Sequence, residues 1–238
     1  LTPKSENFNM ENQENEGYSG TEVKHPKQEF QVERLAFFSD AIFAIAITLL
    51  IIEFKVPHVT RESTYDQVLG ELSELKYNFL ALLFSFGLIS MFWIRHHFLF
   101  KHIHNYNGPV IRLNMLIMLT IIFFPFTTTF YADSVENLAV FTLAFRLFAL
   151  NNILAALSIF ALSYYVFVAH TELSYSIPEH YKRKFFSDNL FLASMFILLL
   201  ILTFFTDSAK LLGGIACVTI LVKNILERIL KISHVKYS

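Results

Sequence analysis

The chain is poor in the residues that most soluble chemistry needs. It has a single cysteine, Cys217, in 238 residues. That excludes a disulfide scaffold and a multi-cysteine metal site. Its seven glycines include one adjacent pair, Gly213-Gly214, and no Gly-rich phosphate cradle. It has no His-Glu-x-x-His helix. Charged residues make up only 16%, against about 25% in an ordinary soluble domain. Nowhere outside the apolar runs is there room for a domain that could hold a nucleotide. No nucleophile stands beside a base, so no enzyme is expected, and no cofactor.

What is present is apolar. Hydrophobic residues reach 54% and phenylalanine alone supplies 27. A bilayer core about 30 Å thick needs about 20 apolar residues in helix. Six runs qualify: Leu35–Ile52, Tyr77–Phe100, Pro109–Tyr131, Leu138–Val168, Phe186–Phe205 and Ala209–Ile232. Lipid offers backbone groups no partners, so runs this long and unbroken must be helices. The fold class expected is an all-α membrane protein with six spans over residues 31–238. Residues 1–30 are polar and mixed in charge and read as a mobile tail. They lack the basic start and apolar centre of a signal peptide, so the first span is expected to direct insertion. Pro125 predicts a kink in the third span. Asp133 and Ser134 are candidate caps for the fourth, and Ser187 and Asp188 for the fifth.

Charge sets the orientation. With the N-terminus inside, the inner segments hold Lys4, Lys24, Lys27, Arg34, Arg95, Lys101, Arg112, Lys182, Arg183, Lys184, Lys223, Arg228, Lys231 and Lys236; the outer ones hold Lys55, Arg61, Lys76 and Lys210. The bias places both termini in the cytoplasm of a multi-pass protein of the cell membrane. Inner cations suit anionic lipid and require no nucleic acid.

With small loops, function falls to polar residues inside the spans. They concentrate in the first, which reads Arg34-Leu35-Ala36-Phe37-Phe38-Ser39-Asp40 before a long apolar run. A carboxylate in a membrane helix is costly, and Asp40 needs a partner. On a helical wheel at about 100° per residue, Ile45, Leu49 and Ile52 form one stripe with Thr48 at its edge, and Ser39 and Asp40 lie on other faces. Such a stripe faces lipid, a neighbouring helix or a path through the protein. His96, His97, His102 and His104 cluster near one membrane face and read as packing or interfacial histidines. Phe185-Phe186-Ser187-Asp188 repeats the Phe-Phe-Ser-Asp tetrad without the preceding arginine spacing. Arg146-Leu147 followed by Asn151-Asn152 echoes that spacing with neutral side chains.

The Arg34-x-x-x-Phe38-Ser39-Asp40 motif resembles the signature of the transmembrane protein 175 family of endosomal and lysosomal potassium channels. The likeness continues through Phe92-Trp93-Ile94-Arg95-His96-His97, Arg112-Leu113-Asn114 and Phe124-Pro125-Phe126. It is good over Arg34–Thr128 and weak beyond. It implies a one-repeat, prokaryotic-type member that assembles as a homotetramer with its first helices around a central pore. The implied function is a potassium-selective, leak-type channel whose only bound species are permeant K⁺ ions and membrane lipid. By spacing from the motif, the family's apolar constriction matches Ile45, Leu49 and Ile52, and its selectivity hydroxyl matches Thr48. Arg34, Phe38, Ser39, Asp40, Trp93, Asn114 and either His96 or His97 match its helix-tying network. Glu53 would stand at the outer mouth. The alternative is a proton-coupled secondary transporter with Asp40 as relay.

Overall fold

The structure, a computed structural model, describes residues 26–52, 59–135 and 137–205. The expected span Ala209–Ile232, together with Glu53 and Cys217, lies outside them. So does most of the expected tail.

Six α-helices follow in order among the described residues: α1 Pro26–Ile52, α2 Tyr65–Glu74, α3 Lys76–Lys101, α4 Gly108–Asp133, α5 Leu138–Tyr164 and α6 Glu179–Leu202. Five of them are long and apolar enough to cross a membrane; α2 is not. The spans pack in chain-neighbour fashion, α4 against α5, α5 against α6, and α1 against both α3 and α4.

Three boundaries differ from the sequence reading. Among the described residues the first helix already includes Pro26–Phe30, inside the stretch read as tail, and Lys27-Gln28-Glu29 are good helix formers. The helix α6 begins at Glu179, seven residues before Phe186. Its polar first turn is held by Glu179, whose carboxylate accepts from Lys182 Nζ at 3.1 Å. Ser187 and Asp188 are therefore not a cap: Asp188 lies inside the helix and is buried. The third departure is α2, which lies between the first and second spans, α1 and α3. A capping box starts it. Gln67 N–H donates to Thr64 Oγ1 at 3.4 Å, and Thr64 N–H donates to Gln67 Oε1 at 2.9 Å.

Asparagines open α4 and α5. Asn107 caps α4, its Oδ1 accepting from Val110 N–H at 3.3 Å. Asn137, rather than Asp133 or Ser134, opens α5, its carbonyl accepting from Phe141 N–H at 2.8 Å. The Asp133 carboxylate instead accepts from Asn78 Nδ2 at 2.7 Å, tying the end of α4 to the start of α3. Pro125 sits within α4 and is buried. Its missing N–H leaves one ladder bond unmade.

The chain between α3 and α4 pairs with the chain between α5 and α6. Tyr175 N–H donates to His102 O at 2.9 Å, and His104 N–H to Leu173 O at 3.1 Å. Just before this, α5 loosens into a π-helical turn over Tyr165–Ala169. Tyr165 leaves that turn to accept Asn107 Nδ2 at 2.9 Å.

Candidate functional site

The first helix has two unlike faces. Val32, Ser39, Phe43, Ala46 and Leu50 are buried against α3 and α4. At about 100° per residue these five fall in one narrow arc, nearly opposite the stripe read from the sequence. The stripe itself is open: Ile45 is 58% exposed, Leu49 37% and Ile52 68%. Thr48, Ala41, Phe38 and Arg34 are exposed beside it. Only 22% of this span's apolar window is buried within the protomer, against 39%, 50%, 56% and 44% for the other four spans. The exposed arc is also wider than three residues, reaching Ala44 and Ile51 on the Thr48 side.

Thr48 solves a problem that a hydroxyl on an apolar helix creates. Its Oγ1 donates to Ile45 O at 2.8 Å, one turn back. The proton is thus used internally, and the oxygen's lone pairs are left toward the open side.

Polar residues on the other faces tie α1 to its neighbours. Ser39 Oγ donates to Leu35 O at 2.9 Å within its own helix. The same Oγ accepts from Asn114 Nδ2 of α4 at 2.9 Å. Asn114 Oδ1 pairs in turn with His96 Nε2 of α3 at 2.8 Å, which requires His96 to be protonated at Nε2. All three are buried. One asparagine thereby links three spans. Beside it, Trp93 Nε1 donates to Asp40 Oδ1 at 2.9 Å. The carboxylate thus has a neutral partner on another helix of the same protomer.

The geometry separates the two histidines. His96 shares a helix face with Phe92 and Phe100, both buried, and stacks on Phe100 with ring centroids 4.4 Å apart. His97, four residues from Trp93, lies exposed against that indole at 5.6 Å. His96 holds the bonded position in the network, and His97 only backs the tryptophan. Arg34 and Phe38 do not enter this cluster among the described residues; both stand exposed on the stripe side of α1.

Sequence reasoning missed several ties. Arg95, counted among inner loop charges, lies buried within α3, and its Nη1 donates to Asn189 Oδ1 of α6 at 3.2 Å. Thr128 Oγ1 donates to Ser85 Oγ at 2.8 Å, joining α4 to α3. Arg146 is explained as well. Its Nε and Nη2 donate to Thr203 Oγ1 and Thr203 O, each at 2.9 Å, and its guanidinium lies 4.1 Å from the Phe204 ring centroid. A cation there satisfies the C-terminal carbonyls of α6 and meets the negative end of its dipole. The echo in Asn151 and Asn152 does not reproduce the network of α1. Asn151 Nδ2 donates to Thr120 O at 3.1 Å, and Asn152 Nδ2 to Phe148 O of its own helix at 2.9 Å. Among the described residues, no group of three His, Cys, Asp or Glu side chains converges as a metal site.

These features can be set beside known proteins. Residues 34–125 match the family described as the endosomal/lysosomal potassium channel TMEM175. A potassium channel of Chamaesiphon minutus is 37% identical over 111 residues, 47% of this chain and 54% of the relative. The bovine endosomal/lysosomal proton channel TMEM175 is 36% identical over 89 residues, 35% of this chain and 19% of that protein. The chain thus spans about half the length of the bacterial relatives it matches, from 49% to 61%. In three dimensions it superposes with a TM-score of 0.68 on the crystal structure of a lysosomal potassium-selective channel TMEM175 homologue from Chamaesiphon minutus. That superposition has 25% identity and covers 81% of this chain and 96% of that one. Residues 34–125 are therefore similar to the TMEM175 family, and they sit in an all-helical fold that superposes on a solved TMEM175 homologue.

Proposed function

We propose that the chain is a potassium-selective cation channel whose pore is walled by the exposed stripe of α1 from several identical copies, four by family likeness. The observation that carries this reading is the division of α1. Ser39 and Asp40 are engaged by intraprotomer bonds, while Ile45, Leu49 and Ile52 project from the least buried of the five described spans. Rings of these side chains form an apolar constriction, which conducts while wide enough to stay wet and closes by dewetting. The free lone pairs of Thr48 then offer oxygen ligands beside the ring, replacing part of the hydration shell of the more easily dehydrated K⁺. Arginine-repeat sensor spacing is absent from the sequence, which favours a leak-type conductance over steep voltage gating. Glu53 is proposed as an attraction for cations at the outer mouth. The charge bias favours cytoplasmic termini even without buried Arg95 in the loop count, and the cell membrane is the proposed location. The bond from Trp93 to Asp40 favours an anchoring carboxylate over a proton relay.

The test is a reversal potential in liposomes with K⁺ on one side and Na⁺ on the other. The proposal expects a shift toward the K⁺ equilibrium potential. A proton current instead, as the names of the animal relatives suggest for those proteins, would appear when a pH gradient is imposed at symmetric K⁺. A saturable, H⁺-coupled flux abolished by Asp40→Asn would select the transporter.

A further inference from the structure

We infer that α2 is a membrane-interface helix, lying on the outer face of the bilayer with Tyr65, Leu69 and Leu72 inserted among neutral lipid. The inference rests on the membrane reading of the fold and not on the permeant ion. At 10 residues, or about 15 Å, α2 cannot span a core about 30 Å thick. Its side chains are nonetheless sharply sorted. Tyr65, Val68, Leu69, Leu72 and Leu75 fall within an arc of about 120° on the wheel. Asp66, Gln67, Glu71 and Ser73 fill the rest. The two flanks of the apolar arc meet different surroundings. Val68 and Leu75 are half-buried, whereas Tyr65 is 80% exposed, Leu69 51% and Leu72 50%.

Two observations say what covers the exposed flank. First, depth: α2 is joined to α3 by Leu75 alone, in helical conformation, so α2 sits at the level where a span leaves the membrane. Second, continuity: the exposed apolar side chains of α2 run on into Phe79, Leu80 and Leu83, which are exposed at the start of that span. In this arrangement Phe79 and Leu83 face hydrocarbon, and Leu72 lies about two turns before the first and about three before the second. Charge defines the lipid. The helix carries Asp66, Glu71 and Glu74 and no lysine or arginine, so attraction to anionic headgroups plays no part. Apolar burial alone holds it, as for an amphipathic helix at an interface.

Spin labelling of the full-length protein tests this. Labels are placed by Leu69→Cys, Leu72→Cys and, on the polar face, Asp66→Cys and Ser73→Cys, each in a Cys217→Ser background. The protein is reconstituted in phosphatidylcholine vesicles. The inference expects labels at 69 and 72 to collide with oxygen several-fold more than with a water-soluble nickel chelate, and labels at 66 and 73 to show the reverse. Adding phosphatidylglycerol leaves the pattern unchanged. Equal access of the nickel chelate to both faces would overturn the inference. So would shielding of 69 and 72 from both reagents with spin–spin broadening, which would mean that another copy covers the face. A pattern that develops only with phosphatidylglycerol would overturn the neutral-lipid basis.

Discussion

Asn114 is the residue on which the three-helix tie depends, and its replacement gives a measurable cost. Asn114→Leu keeps the volume and removes both interhelical bonds, to Ser39 Oγ and to His96 Nε2. Ser39 still donates to Leu35 O, so little is orphaned on α1. His96, fully buried, loses its partner. Interhelical hydrogen bonds inside membranes average about 0.6 kcal/mol and reach about 1.7. Two of them, with the added penalty of a stranded imidazole, put the loss at about 1.5–3 kcal/mol. The assay is reversible unfolding in mixed micelles at rising denaturing-detergent fraction. A cycle with Ser39→Ala isolates the pairwise part, expected at about 0.6–1.7 kcal/mol. Thr120→Val is the control, because Thr120 Oγ1 donates to Ile117 O within its own helix. It should move stability by less than about 0.5 kcal/mol. If Asn114→Leu is neutral or stabilising, the polar cluster does not fasten α1, and the reasoning from burial to scaffold fails.

Three further outcomes follow from the same geometry. Ile45→Ala or Leu49→Ala widens the proposed constriction and should raise single-channel conductance or relax selectivity without loss of folding, since both side chains are exposed in the protomer; unchanged conductance and unchanged reversal potential would count against the stripe. Thr48→Val removes the hydroxyl but no tertiary contact, so stability stays within about 0.5 kcal/mol while the K⁺ over Na⁺ preference in reversal-potential measurements falls, and Thr48→Ser restores it. Arg146→Leu deletes the two bonds to Thr203; with charged-group bonds worth about 1.5–3 kcal/mol, unfolding should shift by at least that much, with ion selectivity untouched.

Five of the six expected spans and the division of α1 were legible because membrane helices announce themselves by run length and because a period of 3.6 separates Ser39 and Phe43 from Ile45 and Leu49. The pairing of Trp93 with Asp40 was not readable from spacing, since the two lie on different helices; family likeness put both in one network, and coordinates supplied the bond. The choice between His96 and His97 was open in sequence. It is decided by register on α3, where His96 shares the buried face of Phe92 and Phe100. Arg34 and Phe38 illustrate the opposite failure. A motif joins them to Ser39 and Asp40, but the helix turns them to the exposed side. Arg95 was taken for a loop cation because charge near a span end usually is one; the amide of Asn189, three helices further along the chain, makes its burial tolerable. The helix α2 was missed although its Thr64-x-x-Gln67 box was in plain view, because attention to apolar run length passes over short amphipathic segments.

The central claim is that the stripe of α1 borders the ion path. Cysteine placed one residue at a time along α1 in a Cys217→Ser background, with current recorded before and after a small thiol-reactive cation, tests it most directly. The account predicts rapid block or a large conductance change at Ile45→Cys, Leu49→Cys and Ile52→Cys, and none at Phe43→Cys or Ala46→Cys. Current that ignores modification at all three stripe positions, with spin labels there quenched by lipid instead, would contradict it.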